Sequence, residues 1–385
     1  MFRIFYAEKD ATLYESLPDY NTGLDEILEI GKRLGTDGST LQKSRSVVKF
    51  DMSEIQSIIS KYSVDLNDCK FLLQLYTTNA KNLPSEYTIT ANILAQPWIN
   101  GTGYQQSSPI ITDGISWNYS LPDSAWISSS QQVQYNSSSL YIAGSGTGGS
   151  WLYQSGSGIF NQSFFNQSFF NQSGLTNSED FSYRPTDLNI DVTDAVKLWI
   201  SGSGGHSIDN NGFLLRFSDS DESDNNVTGY IRFFSKETHT IYVPKLTMYW
   251  DNSTFTTGTL SSVDLESYSV YTNVKPQYKD TEIAKIRLYS RDKYPRKSPT
   301  NLSPYQTVKY LPETTYYTVL DAATDEVIIP YDNIYNKVSC DSTSNFIYVD
   351  MNGFMPERYY RLEFKIVDGF TEQYITDSVY FKVVR

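Results

Sequence analysis

The sequence predicts an all-β fold, on three observations: abundant strand-forming aromatics, polar turn tracts between them, and a period-two alternation that recurs along most of the chain. The 385 residues include 31 tyrosines and 20 phenylalanines, and 39% of the chain is hydrophobic. Aromatic side chains suit half-buried pleated surfaces, while Ser, Thr, Asn and Gly supply the turns that join them. The length exceeds what one hydrophobic core usually organises, so two β-sandwich domains are expected.

Strand-like stretches begin with FRIFYA and continue through LDEILEIG, SRSVVKF, CKFLLQLYTT and EYTITANILA. Each alternates or is rich in β-branched and aromatic residues, and each is bounded by Gly, Pro or Asn. Leu28, Ile30, Val48, Phe50, Leu73 and Leu75 take the inward positions, with polar neighbours facing out. Two short helices interrupt the first domain. SEIQSIISKY places Ile55, Ile58, Ile59 and Tyr62 on one face, with Ser53 as the expected N-cap. DVTDAVKLWISG does the same with Val192, Ala195, Val196, Trp199 and Ile200, capped by Asp191 or Thr193 and stopped at Gly202.

Between about 131 and 177 the chain turns to Ser, Gly, Asn and Gln and ends in FNQSFFNQSFFNQSG, a repeat of period five. Five is odd, so successive copies on a strand would send equivalent residues to opposite faces. The stretch is therefore an insertion and not core. Its rings Phe160, Phe164, Phe165, Phe169 and Phe170 are candidate contacts with a neighbouring subunit. Strands resume with NNGFLLRFSD, TGYIRFFSKE and IYVPKLTMYW. A polar stretch after Trp250 then marks a boundary: residues 1–252 form the first domain, 253–260 a linker and 261–385 a second sandwich of seven short strands.

Composition excludes several function classes. The net charge of −13 repels phosphate polymers and argues against general nucleic-acid binding. The opening MFRIFYAEKD has no signal-peptide core and no stretch approaches a membrane span, so folding in a cytoplasm and no membrane insertion are expected. Cys69 and Cys340 lack any CxxC or His-rich setting and read as unpaired thiols. His206 and His239 have no nucleophile or metal-spaced partner, and GSGTGGS lacks the Lys-Ser/Thr of a phosphate loop. No catalytic residues are expected. Paired carboxylates for glycoside cleavage need a separation that sequence does not give.

Three candidate sites remain. Asp219, Asp221 and Asp224 in SDSDESDNN suit a hard cation such as Ca²⁺, the one cofactor in view, although a solvated turn explains the same residues. Arg287, Arg291, Lys293, Arg296 and Lys297 in RLYSRDKYPRK interleave with Tyr289 and Tyr294, a composition that suits a protein interface more than a polyanion ligand. Trp98, Trp126 and Trp151 are candidate stacking platforms for a sugar, whereas Trp117 reads as core.

In chain order, DATLYE (Asp10–Glu15), YNTGLDEILEIGK (Tyr20–Lys32), SRSVVKFDMSEI (Ser44–Ile55), WNYSLPDSAW (Trp117–Trp126), DVTDAVKLWISG, NNGFLLRF, FFSKE (Phe233–Glu237) and PKLTMYW (Pro244–Trp250) together resemble a DNRLRE domain. That family is a jelly-roll-type β-sandwich of bacterial surface proteins and tailed-phage virion proteins. The chain departs from it in the swollen repetitive middle and in Lys236 and Glu237, where the family's charged motif is expected. The second domain resembles an immunoglobulin- or fibronectin-like module through NGFMPERYYRLEFKIVDG, whose Tyr360, Leu362, Phe364 and Ile366 share one strand face.

Read together, the modules resemble structural proteins of contractile-tailed marine phages. The resemblance implies a non-enzymatic virion protein, in several copies on the neck, tail, baseplate or capsid surface, with other virion proteins and copies of itself as partners. The rival is a carbohydrate-binding or adhesin module recognising host-surface polysaccharide.

Overall fold

The computed structural model describes residues 1–385 apart from positions 36, 130–139, 155–175, 185 and 202–207. Phe160, Phe164, Phe165, Phe169, Phe170, Gly202 and His206 lie outside the described residues. The chain is all-β, and it divides into two compact units: Phe5–Met248, and Tyr249–Arg385 together with Met1–Ile4. Arg3 pairs with Asp350 at 2.9 Å, and Phe2 meets Phe354 edge-on at 5.4 Å, which ties the first residues into the second unit. Among the described residues no helix is long and apolar enough to cross a membrane.

In the first unit an eight-stranded sheet runs Thr176–Ser182, Glu86–Ile93, Phe213–Phe217, Leu41–Lys49, Ile27–Leu34, Gly229–Phe234, Thr77–Lys81, with Lys9–Tyr14 also paired to Leu41–Lys49. A second sheet sets Lys70–Leu75 between Leu188–Asp191 and Lys245–Tyr249. Alternation works as expected on Lys70–Leu75, where every second residue is buried. Leu28, Ile30, Val48, Phe50, Leu73 and Leu75 are all at most 1% exposed. Each such side chain contributes about 1.5–3 kcal/mol by leaving water.

The strand Phe213–Phe217 breaks the alternation, because all five of its residues are buried. One face of its sheet carries Ala11, Leu13, Val47 and Leu214, which cluster with Leu94, Trp98, Ile115, Trp117 and Trp126. The long segment between the strands Glu86–Ile93 and Tyr119–Leu121 thus lies over that face as a third layer. A strand covered on both sides has no solvent-facing positions, and its one charged residue, Arg216, is paired with Asp219 and Glu222.

The helices form where the apolar spacing predicts them. Helix α1, Met52–Tyr62, buries Met52, Ile55 and Ile58. Its N-cap is Asp51, whose carboxylate accepts the Ser53 N–H at 2.8 Å, and not Ser53. Helix α2, Thr193–Ser201, buries Ala195, Val196 and Trp199, with the Trp199 ring 4.8 Å from Phe213. Just before it the Asp191 carboxylate accepts the Thr193 N–H at 3.0 Å. A third helix, α3, Asp219–Ser223, stands where an acidic turn was expected.

The second unit holds a four-stranded sheet, Tyr268–Thr272, Ile283–Asp292, Asn345–Asp350, Ser339–Cys340, and a five-stranded sheet, Gln277–Lys279, Thr371–Val384, Tyr359–Asp368, Thr315–Asp321, Val327–Ile329. Tyr360, Leu362, Phe364 and Ile366 are buried together on one strand face, as their spacing predicts. The Tyr360 hydroxyl donates to the Met355 carbonyl at 3.1 Å. That bond locks the turn to the strand in the manner of a tyrosine corner.

Candidate functional site

The tryptophans separate by burial. Trp98 and Trp126 are 2% and 3% exposed. The Trp98 indole donates to the Asn211 carbonyl at 2.7 Å, and that of Trp126 to the Ser116 carbonyl at 3.1 Å. Both rings belong to the layer that covers the large sheet, which corrects their assignment as sugar platforms. Trp117 is core as expected. Trp151 is half-buried, with the guanidinium groups of Arg216 and Arg45 at 4.2 and 5.5 Å from its ring.

The acidic segment serves those arginines. Ser218 caps α3, and the helix presents Glu222, an acid with no local sequence signal to mark it. Glu222 takes Arg45 in a fork at 2.8 and 2.6 Å and Arg216 at 3.4 Å. Asp219 pairs with Arg216 at 2.7 Å, Asp221 accepts the Thr88 N–H at 2.8 Å, and Asp224 accepts the Asn226 N–H at 2.9 Å. These carboxylates point to separate partners. Among the described residues no group of three or more His, Cys, Asp or Glu is placed to hold a metal ion, Asp219, Asp221 and Asp224 included.

The basic segment is a surface. Along Ile283–Asp292 the residues Ala284, Ile286, Leu288 and Ser290 are buried, which puts Lys285, Arg287, Tyr289 and Arg291 on the opposite face. Register sets Tyr271 opposite Tyr289 and Tyr348 opposite Lys285. The two rings Tyr271 and Tyr289 stack at 5.0 Å with planes 19° apart. Lys285 lies 3.8 Å from the Phe346 ring and 5.4 Å from Tyr348. Cations and rings therefore interleave across three strands.

Within this surface the predicted cations play two parts. Arg287 forks onto Asp341 at 3.0 and 2.8 Å and adds Ser344 at 3.0 Å, and the Arg287 bonds hold the Asp341 carboxyl well below the usual carboxylate range. Arg291 lies 5.3 Å from the Tyr305 ring. Lys293, Arg296 and Lys297 are exposed and make no ion pair among the described residues. Beside them Tyr294 is 74% exposed, Leu302 73% and Tyr305 52%.

Other reactive groups are muted. Both cysteines are free and buried, and burial pushes the Cys69 thiol up to about 12 and that of Cys340 to about 11. A thiol so raised is a poor nucleophile at neutral pH. His239 is exposed, 3.6 Å from Glu26.

The fold and surface define an all-β protein of sandwich type that displays a cation–aromatic sheet face. No protein-family model matches the sequence, and no curated protein does. Among solved structures, the chain is similar over 97% of its length, and 91% of the other chain, to the adhesin domain of Epf from Streptococcus pyogenes, at 7% identity and a TM-score of 0.17. It is similar over 100% of its length, and 97% of the other chain, to the tripod from the baseplate of bacteriophage Tuc2009, at 10% identity and a TM-score of 0.14. A Parabacteroides merdae β-glucuronidase matches at 10% identity and a TM-score of 0.16, over 83% of this chain and 29% of that one. At these TM-scores none of the three carries an argument about function.

Proposed function

We propose that the protein is a non-enzymatic structural component of a tailed-phage virion, working by contact in several copies on the neck, tail, baseplate or capsid surface. It needs no cofactor in this role, and its partners are other virion proteins and copies of itself. The observation that carries this reading is the face on which Lys285, Arg287, Tyr289 and Arg291 interleave with Tyr271 and Tyr348. Arginine and tyrosine are enriched at the centres of protein interfaces, because rigid rings and planar guanidinium groups bury much area at low entropic cost.

Charge decides against a polyanion as the ligand of this face. Arg287 is already matched by Asp341, and the chain as a whole carries −13. An acidic protein surface, which the rest of such a chain supplies in abundance, is the better complement. The order of motifs in residues 10–250 adds the resemblance to virion modules.

The test is mass spectrometry of purified virions from the phage that encodes the chain. Presence in stoichiometric amount is expected. Absence of the chain from washed, intact particles would overturn the reading.

A further inference from the structure

The first unit contains a long loop, residues 95–118, whose inner side chains Trp98, Ile115 and Trp117 cover the large sheet and whose remaining residues are held by polar bonds. It carries no helix and no strand, yet it is anchored throughout. Asn21, 1% exposed, donates through its amide to the carbonyls of Asn100 at 2.6 Å and Ile115 at 2.8 Å. Its carbonyl oxygen accepts from the N–H groups of Gly103 at 2.7 Å and Gly23 at 3.3 Å. Both donors and both lone pairs of one buried side chain are thus spent on holding two loops together.

Glycines make that approach feasible. A Cβ on Gly101 would fall 2.4 Å from the Asn21 amide, and one on Gly103 would fall 2.4 Å from the Asn21 backbone carbonyl. Asp113 adds two more bonds, to Thr102 N–H at 2.9 Å and Thr102 Oγ1 at 2.6 Å. Long loops fixed in one shape by buried polar bonds are costly, and they characteristically carry binding.

What the loop presents is a groove. One hollow of about 430 Å³ is lined by Asp25, Glu26, Tyr104, Gln106 and Ser107. A second, of about 650 Å³, shares Gln106 and Ser107 and continues past Tyr20, Pro109 and Ile110. Tyr104 is 48% exposed and Ile110 50%. Both oxygens of Asp25 accept from the Gln105 N–H, at 3.1 and 3.2 Å, so the carboxylate is oriented.

We infer that this groove is a binding site for a neutral oligosaccharide. Rings and aliphatic side chains meet the C–H faces of pyranoses, while a fixed carboxylate, side-chain amides and hydroxyls bond their vicinal hydroxyl groups. The lining holds two acids and no Lys or Arg, which disfavours sulfated or uronic chains. Two adjoining hollows suit successive sugar units. The site stands independently of the virion role: a virion protein without it, or a sugar binder outside a virion, are both coherent outcomes.

The test is calorimetry and saturation-transfer NMR on the full chain, with hexamers of glucose, mannose, galactose and N-acetylglucosamine, alongside heparin and polygalacturonate hexamers. Binding of at least one neutral hexamer is expected. Tyr104→Ala and Asp25→Asn should each weaken it by about tenfold or more without lowering the melting temperature. Arg296→Ala serves as the control, because it lies in the other unit and should leave binding unchanged. Silence with every neutral hexamer, preference for the anionic ones, or equal binding by both groove variants overturns the inference.

Discussion

Asp10 lies wholly inside the first unit, with one carboxylate oxygen accepting the Lys236 N–H at 2.7 Å and the other without a partner. Burial pushes its pKa up to about 7, and the Lys236 contacts only partly offset that. In the unfolded chain an aspartate titrates near 4. Between about pH 4 and 7 the folded chain therefore holds a proton that the unfolded chain has released, so stability falls as pH rises through that window. Asp10→Asn should raise stability by on the order of 2 kcal/mol at pH 8 and change little at pH 4. Thermal melts of both proteins at the two pH values check this; an equal shift at both would remove the titration of Asp10 as the cause.

Among the elements, the five-residue helix α3 matters for one side chain. It holds Glu222 against Arg45 and Arg216, whose side chains are 8% and 2% exposed. Removing one partner of a buried pair leaves an uncompensated charge, which costs about 3–5 kcal/mol. Glu222→Gln should therefore lower the urea midpoint far more than Asp219→Asn, since Asp219 is 85% exposed. On the strand Tyr359–Asp368, Tyr360→Phe deletes only the hydroxyl bonded to Met355. A loss of about 1 kcal/mol is expected in chemical denaturation. The Tyr360 alternation and the α1 and α2 periodicities were legible because each depends on neighbours within a few residues. The α1 cap falls two residues earlier than expected, at Asp51 and not Ser53, since either can cap and only backbone geometry chooses.

At the level of the full chain, contact through the second unit's cation–aromatic face predicts separable effects on assembly and folding. R296A/Y305A should leave the melting temperature within about 1 °C, because both side chains are exposed and such positions contribute little. The same variant should reduce incorporation into particles. The wild-type association should weaken as salt rises from about 50 to about 500 mM, on the order of tenfold, since the exposed Lys293, Arg296 and Lys297 act through a screened field. Quantitative mass spectrometry of particles and a salt series of association constants measure the two effects.

Periodicity and composition along the chain were enough to establish the all-β class, most strands, two of the helices and the basic character of the segment from Arg287 to Lys297. The folded arrangement alone settles which side chains face water. Trp98 and Trp126 are hidden because a long loop covers a sheet face. Arg287 is matched by Asp341, 54 residues away, whereas Lys293 stays exposed. Asn21 reaches loops 79 and 94 residues distant and shapes a groove around Tyr104. Burial and pairing are sums over distant residues, and no local pattern encodes them.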